Sequence, residues 1–169
     1  MKIMRGLFIG RFQPFHNGHL KIVEAALDEV DELVIGIGSA ERSFSMEDPF
    51  TAGERIEMIQ KVIRALSLEK RVTIVPIRDV NRYSIWVSHV ASLVPSIDLV
   101  FSNNPLTIRL FKEAGFEVHS TKLVDRRNYS GRRIRELIGS GSDWKGLVPE
   151  EISYFMIEKK LDAVTEATT

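Results

Sequence analysis

Two stretches of this sequence gather the side chains and main-chain donors that hold phosphate. The first is Gly10-Arg11-Phe12-Gln13-Pro14-Phe15-His16-Asn17-Gly18-His19, which follows a short apolar run and opens an amphipathic one. Gly10 permits a tight exit from a strand, and Gly18 removes a Cβ where a ligand can approach the main chain. Free N–H groups at a helix start, aided by the macrodipole, form an anion site. His16 and His19 stand three apart, so both fall on one side of that turn, and Arg11 and His19 can reach the same phosphate oxygens. A metal reading of the histidines needs a third ligand, and only His89 and His119 remain as histidines. The second stretch, Tyr129-Ser130-Gly131-Arg132-Arg133-Ile134-Arg135, opens a late helix, and from Arg126 to Arg135 there are five arginines and no acid. Ser130, the N–H groups after it and Arg135 form a second anion site. A serine there is also an ordinary N-cap, and a basic run also an ordinary solvated face.

The elements that must position these stretches alternate. Short apolar runs at 6–9, 33–37, 72–77, 97–101 and 116–119 read as strands, with Pro76 interrupting the third near its end. Leu20, Val23, Leu27 and Val30 give a helix over 18–29 one face, with Asn17 as its N-cap. Thr51-Ala52-Gly53-Glu54 is a capping box ahead of a face made by Ile56, Ile59, Ile63 and Leu66. Further helices are predicted over 85–93, 106–114, 130–138 and about 150–161, with a frayed tail. Residues 39–50 have no clean period and read as a long loop able to move over a ligand. Strands alternating with helices predict an α/β architecture: a single-domain Rossmann-like parallel sheet of about five strands over 1–169, with helices on both faces. Ligands of such sheets bind beyond the carboxyl ends of the strands. The loops to search are therefore 10–19, 38–50, 78–86, 102–105 and 120–131.

Bulk composition narrows the function. The 169 residues are 44% apolar and 27% charged with formal net charge zero, which argues against a nucleic-acid partner. No cysteine is present, which excludes disulfides, thiolate zinc sites and cysteine nucleophiles. The leading apolar run is too short for a signal or a membrane span, so the expected location is the cytoplasm, away from membranes. Acidic Asp28, Glu29, Asp31 and Glu32 cluster near the end of the first helix and face solvent or a partner.

The first stretch resembles the (T/H)xGH signature of the nucleotidyltransferase superfamily, and more closely the GRFQPFHxGH form of archaeal-type nicotinamide mononucleotide (NMN) adenylyltransferases. The second resembles that family's SxTxxR element, with Arg132 at the threonine position, so that Ser130 and Arg135 carry over. Ile37-Gly38-Ser39-Ala40, the run from Asp48 to Arg55, Ser84-Ile85-Trp86-Val87 and Asn104-Pro105-Leu106 also resemble segments of the family, which extends the likeness to about Leu161. It implies adenylyl transfer from ATP to NMN, giving NAD and pyrophosphate, by direct attack of the NMN phosphate on the α-phosphorus. Arg11, His16, His19 and Arg135 are the implied catalytic residues. Gly10, Phe12, Gln13, Gly18, Asn104 and Ser130 join them in the implied ATP site. Gly38, Ser39, Arg55, Asp79, Asn81 and Trp86 are the implied NMN site, Trp86 stacking on the nicotinamide ring; packing in the core is the competing reading of that tryptophan. Magnesium arrives with ATP, and a homo-oligomer, a hexamer in archaeal relatives, is implied. The same chemistry on another phosphorylated acceptor, such as nicotinic acid mononucleotide, and a non-catalytic nucleotide sensor are the alternatives.

Overall fold

The computed structural model describes residues 1–121 and 129–163. Five strands make one sheet: β1 (Arg5–Gly10), β2 (Glu32–Ile37), β3 (Val72–Pro76), β4 (Leu99–Phe101) and β5 (Val118–His119). Their order is β3-β2-β1-β4-β5 and every pairing is parallel. The chain thus builds outward from β1 in one direction, then returns to add β4 on its other side. Pro76 is tolerated because β3 is an edge strand, where no outer neighbour needs its missing N–H.

Helices cover both faces. α1 (Asn17–Glu29), α2 (Ala52–Ala65), α5 (Gly131–Gly139) and α6 (Glu150–Glu158) supply one core with Phe8, Leu33, Ile35, Ile37, Leu99 and Phe101 from the strands. α3 (Tyr83–Leu93) and α4 (Pro105–Glu113) cover the other face, where Leu7, Val34 and Val100 meet Val90 and Phe111. Neighbouring strand residues therefore go to opposite cores, as a period of two requires. Among the described residues one 3₁₀ turn, Lys145–Leu147, precedes α6, an element with no periodic signal in the sequence. The α2 capping box forms as predicted, with Thr51 Oγ1 accepting from the Glu54 N–H at 3.1 Å and Glu54 Oε1 accepting from the Thr51 N–H at 2.9 Å.

Most of the acidic cluster is engaged. Asp31 accepts from the Met4 N–H at 2.7 Å, Glu32 pairs with Arg5 at 2.7 Å, and Glu29 meets His119 at 2.6 Å. His119 also contacts Glu117, and hydrogen bonds to the two carboxylates raise its pKa. His89 bonds the carbonyl of Arg78. Neither histidine joins His16 and His19. Among the described residues no helix is long and apolar enough to cross a membrane.

Candidate active site

The turn from β1 into α1 is built around two stacked imidazoles. His16, not Asn17, is the N-cap: its Nδ1 accepts from the N–H groups of Gly18 (3.1 Å) and His19 (3.3 Å). His19 Nδ1 reaches back to accept from the His16 N–H at 3.1 Å. This is a capping box made of two histidines, and it places their ring centroids 3.6 Å apart. Asn17 instead donates to the carbonyl of Gly146. Because each Nδ1 is an acceptor, the proton of each neutral ring sits on Nε2, a donor left for a ligand. Burial pushes the His16 pKa down to about 4, and it pushes His19 well below its usual value, helped by the neighbouring His16 charge. At neutral pH both rings are uncharged. With protein groups alone around them, they are hydrogen-bond donors rather than cations.

Phe12 and Gln13 act behind these rings. The Phe12 ring is buried against Phe8, Phe15 and the His19 ring. The Gln13 amide is spent on the main chain of Phe50, donating to its carbonyl (3.0 Å) and accepting its N–H (2.9 Å). Their side chains support the turn, so any contact they make with ATP is through the main chain.

The second stretch closes on the first. Ser130 caps α5, its Oγ accepting from the Arg133 N–H at 3.1 Å. Arg135 Nη1 donates to the Gln13 carbonyl at 2.9 Å, across 122 positions of sequence. A Cβ on Gly131 would lie 2.8 Å from that Nη1, and one on Gly18 would lie 3.0 Å from the Cβ of Tyr129. Gly18 thus leaves room for the His16 ring and for the other motif. Arg135 loses some basicity to burial and to the nearby Arg11 charge, opposed by Asp48 and Glu47. Arg132 points outward, pairing with Glu136 at 3.1 Å. Arg126 and Arg127, with most of the 120–131 loop, lie outside the described residues, as does the end of the chain expected to fray.

Beside these motifs, at the carboxyl ends of the strands, a cleft of about 600 Å³ straddles β1. Gly10 ends β1 and Arg11 follows it, Gly38, Ser39 and Arg42 follow β2, Asp79, Asn81 and Trp86 follow β3, and Asn104 follows β4; all line it. Strand order reverses at β1, the switch point where such sheets take ligands. Trp86 is half-buried, edge-on to Phe111 at 5.4 Å, and also lines the cleft, so it is not wholly a core residue. Asn104 is likewise both a cleft residue and the N-cap of α4, accepting from the Leu106 and Thr107 N–H groups. The Ser39 hydroxyl donates to Asp79 at 3.0 Å, and Arg42 pairs with Asp79 at 3.2 Å. Positive φ values fall at Phe12 (55), Ser39 (48) and Asn81 (56) in the loops after β1, β2 and β3, and also at Phe44, Ser67 and Lys160 away from the cleft. Arg55 departs from expectation. It is fully buried, neither an exposed helix residue nor a side chain open to the cleft.

A cytidylyltransferase-like family model matches residues 7–137. The chain is 49% identical over 165 residues to a nicotinamide-nucleotide adenylyltransferase of Archaeoglobus fulgidus, covering 95% of this chain and 94% of that one. It is 50% identical over 149 residues to the enzyme of the same name from Haloarcula marismortui, covering 88% and 78%. The chain belongs to the nicotinamide-nucleotide adenylyltransferase family. A bifunctional NMN adenylyltransferase/ADP ribose pyrophosphatase from Francisella tularensis, solved with AMP and a manganese ion, shares the fold at a TM-score of 0.77 and 22% identity. The match covers 98% of this chain and about half of that one, 52%.

Sequence reasoning missed two residues of this family member's site. Asp48 is buried and pairs with Arg11 at 3.1 Å, orienting the guanidinium. Arg42 holds Asp79 against the cleft wall. Both sit in the 39–50 loop, whose lack of period hid them; Asp48 beside Pro49 was the only local signal. Among the described residues no three His, Asp or Glu side chains converge in a metal-binding group.

The buried His16 has a measurable consequence. Its folded pKa lies below its unfolded value, so between pH 6.5 and about 4 the unfolded chain binds the extra proton and stability falls as pH falls. The loss is about 3 kcal/mol across that window. In urea titrations at successive pH values, His16→Asn, which keeps a capping acceptor but does not titrate, is expected to flatten this dependence. An unchanged slope would contradict the burial of a neutral ring at position 16.

Proposed function

We propose that this site joins ATP and NMN to give NAD and pyrophosphate, by in-line attack of the NMN 5′-phosphate on the α-phosphorus of ATP. The convergence of Arg135 on the Gln13 carbonyl carries the reading. It brings two sets of phosphate donors, far apart in sequence, to one place beside a cleft with an aromatic wall. The phosphate nucleophile is ionised at neutral pH and needs no general base. Magnesium pyrophosphate is a good leaving group. What the protein must supply is approach and donors aimed at shifting charge. Arg11 and the Nε2–H groups of His16 and His19 take the α- and β-phosphates; Ser130, its following N–H groups and Arg135 take the β- and γ-phosphates. Gly38, Ser39, Asp79, Asn81 and Trp86 hold the acceptor. Magnesium comes as part of the ATP substrate.

Incubation with ATP, magnesium and NMN is expected to yield NAD and pyrophosphate together. Binding without pyrophosphate release would make the protein a nucleotide sensor. Faster turnover with nicotinic acid mononucleotide or another phosphorylated acceptor would reassign the substrate. Trp86→Ala is expected to raise KM for NMN about tenfold, the scale of one lost stacking contact, with KM for ATP little changed. Equal effects on both substrates would make Trp86 a packing partner of Phe111 alone. The proposal includes assembly into a homo-oligomer, a hexamer as in archaeal relatives, which sedimentation equilibrium decides. The chain is proposed to act in the cytoplasm as one domain.

A further inference from the structure

Arg55 is the largest fully buried side chain among the described residues. Its guanidinium donates to six main-chain carbonyls: Thr51 (3.2 Å), Arg11 (2.8 Å), Gly38 (3.0 Å), Ser39 (3.2 Å), Ala40 (3.3 Å) and Arg42 (3.3 Å). Three separate pieces of chain meet on it: the exit from β1, the exit from β2 and the start of α2. Burial lowers its basicity, and Asp48 and Glu41 act against that. No carboxylate touches it among the described residues. A cation satisfied only by carbonyl dipoles is an expensive way to fill a core, since an aliphatic side chain would fill the same space without desolvating a charge. Its geometric effect is specific. In a trans peptide the N–H lies opposite the carbonyl, so each carbonyl drawn to Arg55 turns the next N–H away from it. The Ser39 N–H, which follows the Gly38 carbonyl, has no partner among the described residues, and Ser39 itself sits at a φ of 48 on the cleft wall.

We propose that Arg55 is a positioning residue for the transfer reaction: through the main chain it fixes the wall carrying Gly38, Ser39 and Arg42 relative to Arg11, and so sets the acceptor against the nucleotide. This rests on the acceptor site proposed above. Arg55 holds the triphosphate side only through the Arg11 carbonyl and makes no bond to His16, His19, Ser130 or Arg135, whereas four of its carbonyls lie on the acceptor wall (Gly38, Ser39, Ala40 and Arg42), so its loss disturbs the acceptor more than the triphosphate.

The test is steady-state kinetics of Arg55→Lys and Arg55→Met beside the wild type, with the folded fraction measured by circular dichroism. The wild type is assayed first; no dinucleotide from it would sink the functional reading without touching the role of Arg55. Arg55→Lys keeps the charge and at most three donors. It is expected to raise KM for NMN about tenfold and to lower kcat about tenfold, with KM for ATP changed less than about threefold, the scale of a small misplacement of reacting groups. Arg55→Met is expected to lose more of both. A purely structural arginine would lower Tm and leave both KM values intact, and that outcome overturns the proposal, as does an equal rise in the two KM values. If neither variant folds, hydrogen exchange on the wild type decides. The Ala40 and Arg42 amides, bonded to Ile77 and Ser39, are expected to exchange far more slowly than unstructured chain, and free exchange there would refute a fixed wall.

Discussion

His19→Ala is expected to lower kcat for NAD synthesis by about 10²–10³-fold, the scale of removing one aimed donor from a developing anion. Two effects must be separated. The ring supplies an Nε2–H to phosphate, and its Nδ1 also accepts from the His16 N–H at 3.1 Å, closing the capping box. Losing the second function costs about 1 kcal/mol of stability. His19→Asn distinguishes them, since its carbonyl oxygen can still accept the His16 N–H but its short side chain carries no donor out to the phosphate. Both variants are therefore expected to lose turnover, while the asparagine variant melts closer to the wild type. Wild-type kcat in His19→Asn would show that the imidazole serves only to start the helix.

The second large effect is at Arg135. Nη1 is held by the Gln13 carbonyl, and Nε and Nη2, which have no partner among the described residues, are the donors proposed for the triphosphate. Arg135→Ala is expected to raise KM for ATP by about 10–100-fold, the range for a lost charge-assisted hydrogen bond, and to depress kcat with it. Arg135→Lys keeps the charge but cannot serve the carbonyl and a phosphate in the same plane, so it is expected to fall between the two. Unchanged kinetics in Arg135→Ala would remove this arginine from the site and break the link between the two motifs.

Much of the frame was legible in the sequence because its signals are local. Five apolar runs gave five parallel strands, and the Thr51–Glu54 capping box formed where its spacing put it. The two phosphate motifs were legible for the same reason, since each occupies a single strand-to-helix or loop-to-helix turn. What sequence missed depends on contacts between distant segments. Asn17 looked like a cap by residue type, but two histidines able to bond each other's main chain displaced it. Gln13 looked like a ligand contact, yet its amide pairs with Phe50, 37 residues away. Arg55 reads as an acceptor contact by resemblance; nothing nearby in the chain announces that six carbonyls will converge on it. The roles of Asp48 and Arg42 likewise exist only once the aperiodic 39–50 loop is laid against the ends of β1 and β3.

The uncharged state of the stacked imidazoles bears on which anions the pocket retains. Two imidazolium ions 3.6 Å apart would repel each other and any metal riding on the triphosphate, and would attract sulfate or inorganic phosphate indiscriminately. Neutral donors exert almost no pull at a distance and reward only oxygens that arrive in the right place. On the proposed assignment the two rings therefore discriminate by shape and direction, and the long-range attraction for phosphate falls to Arg11 and Arg135.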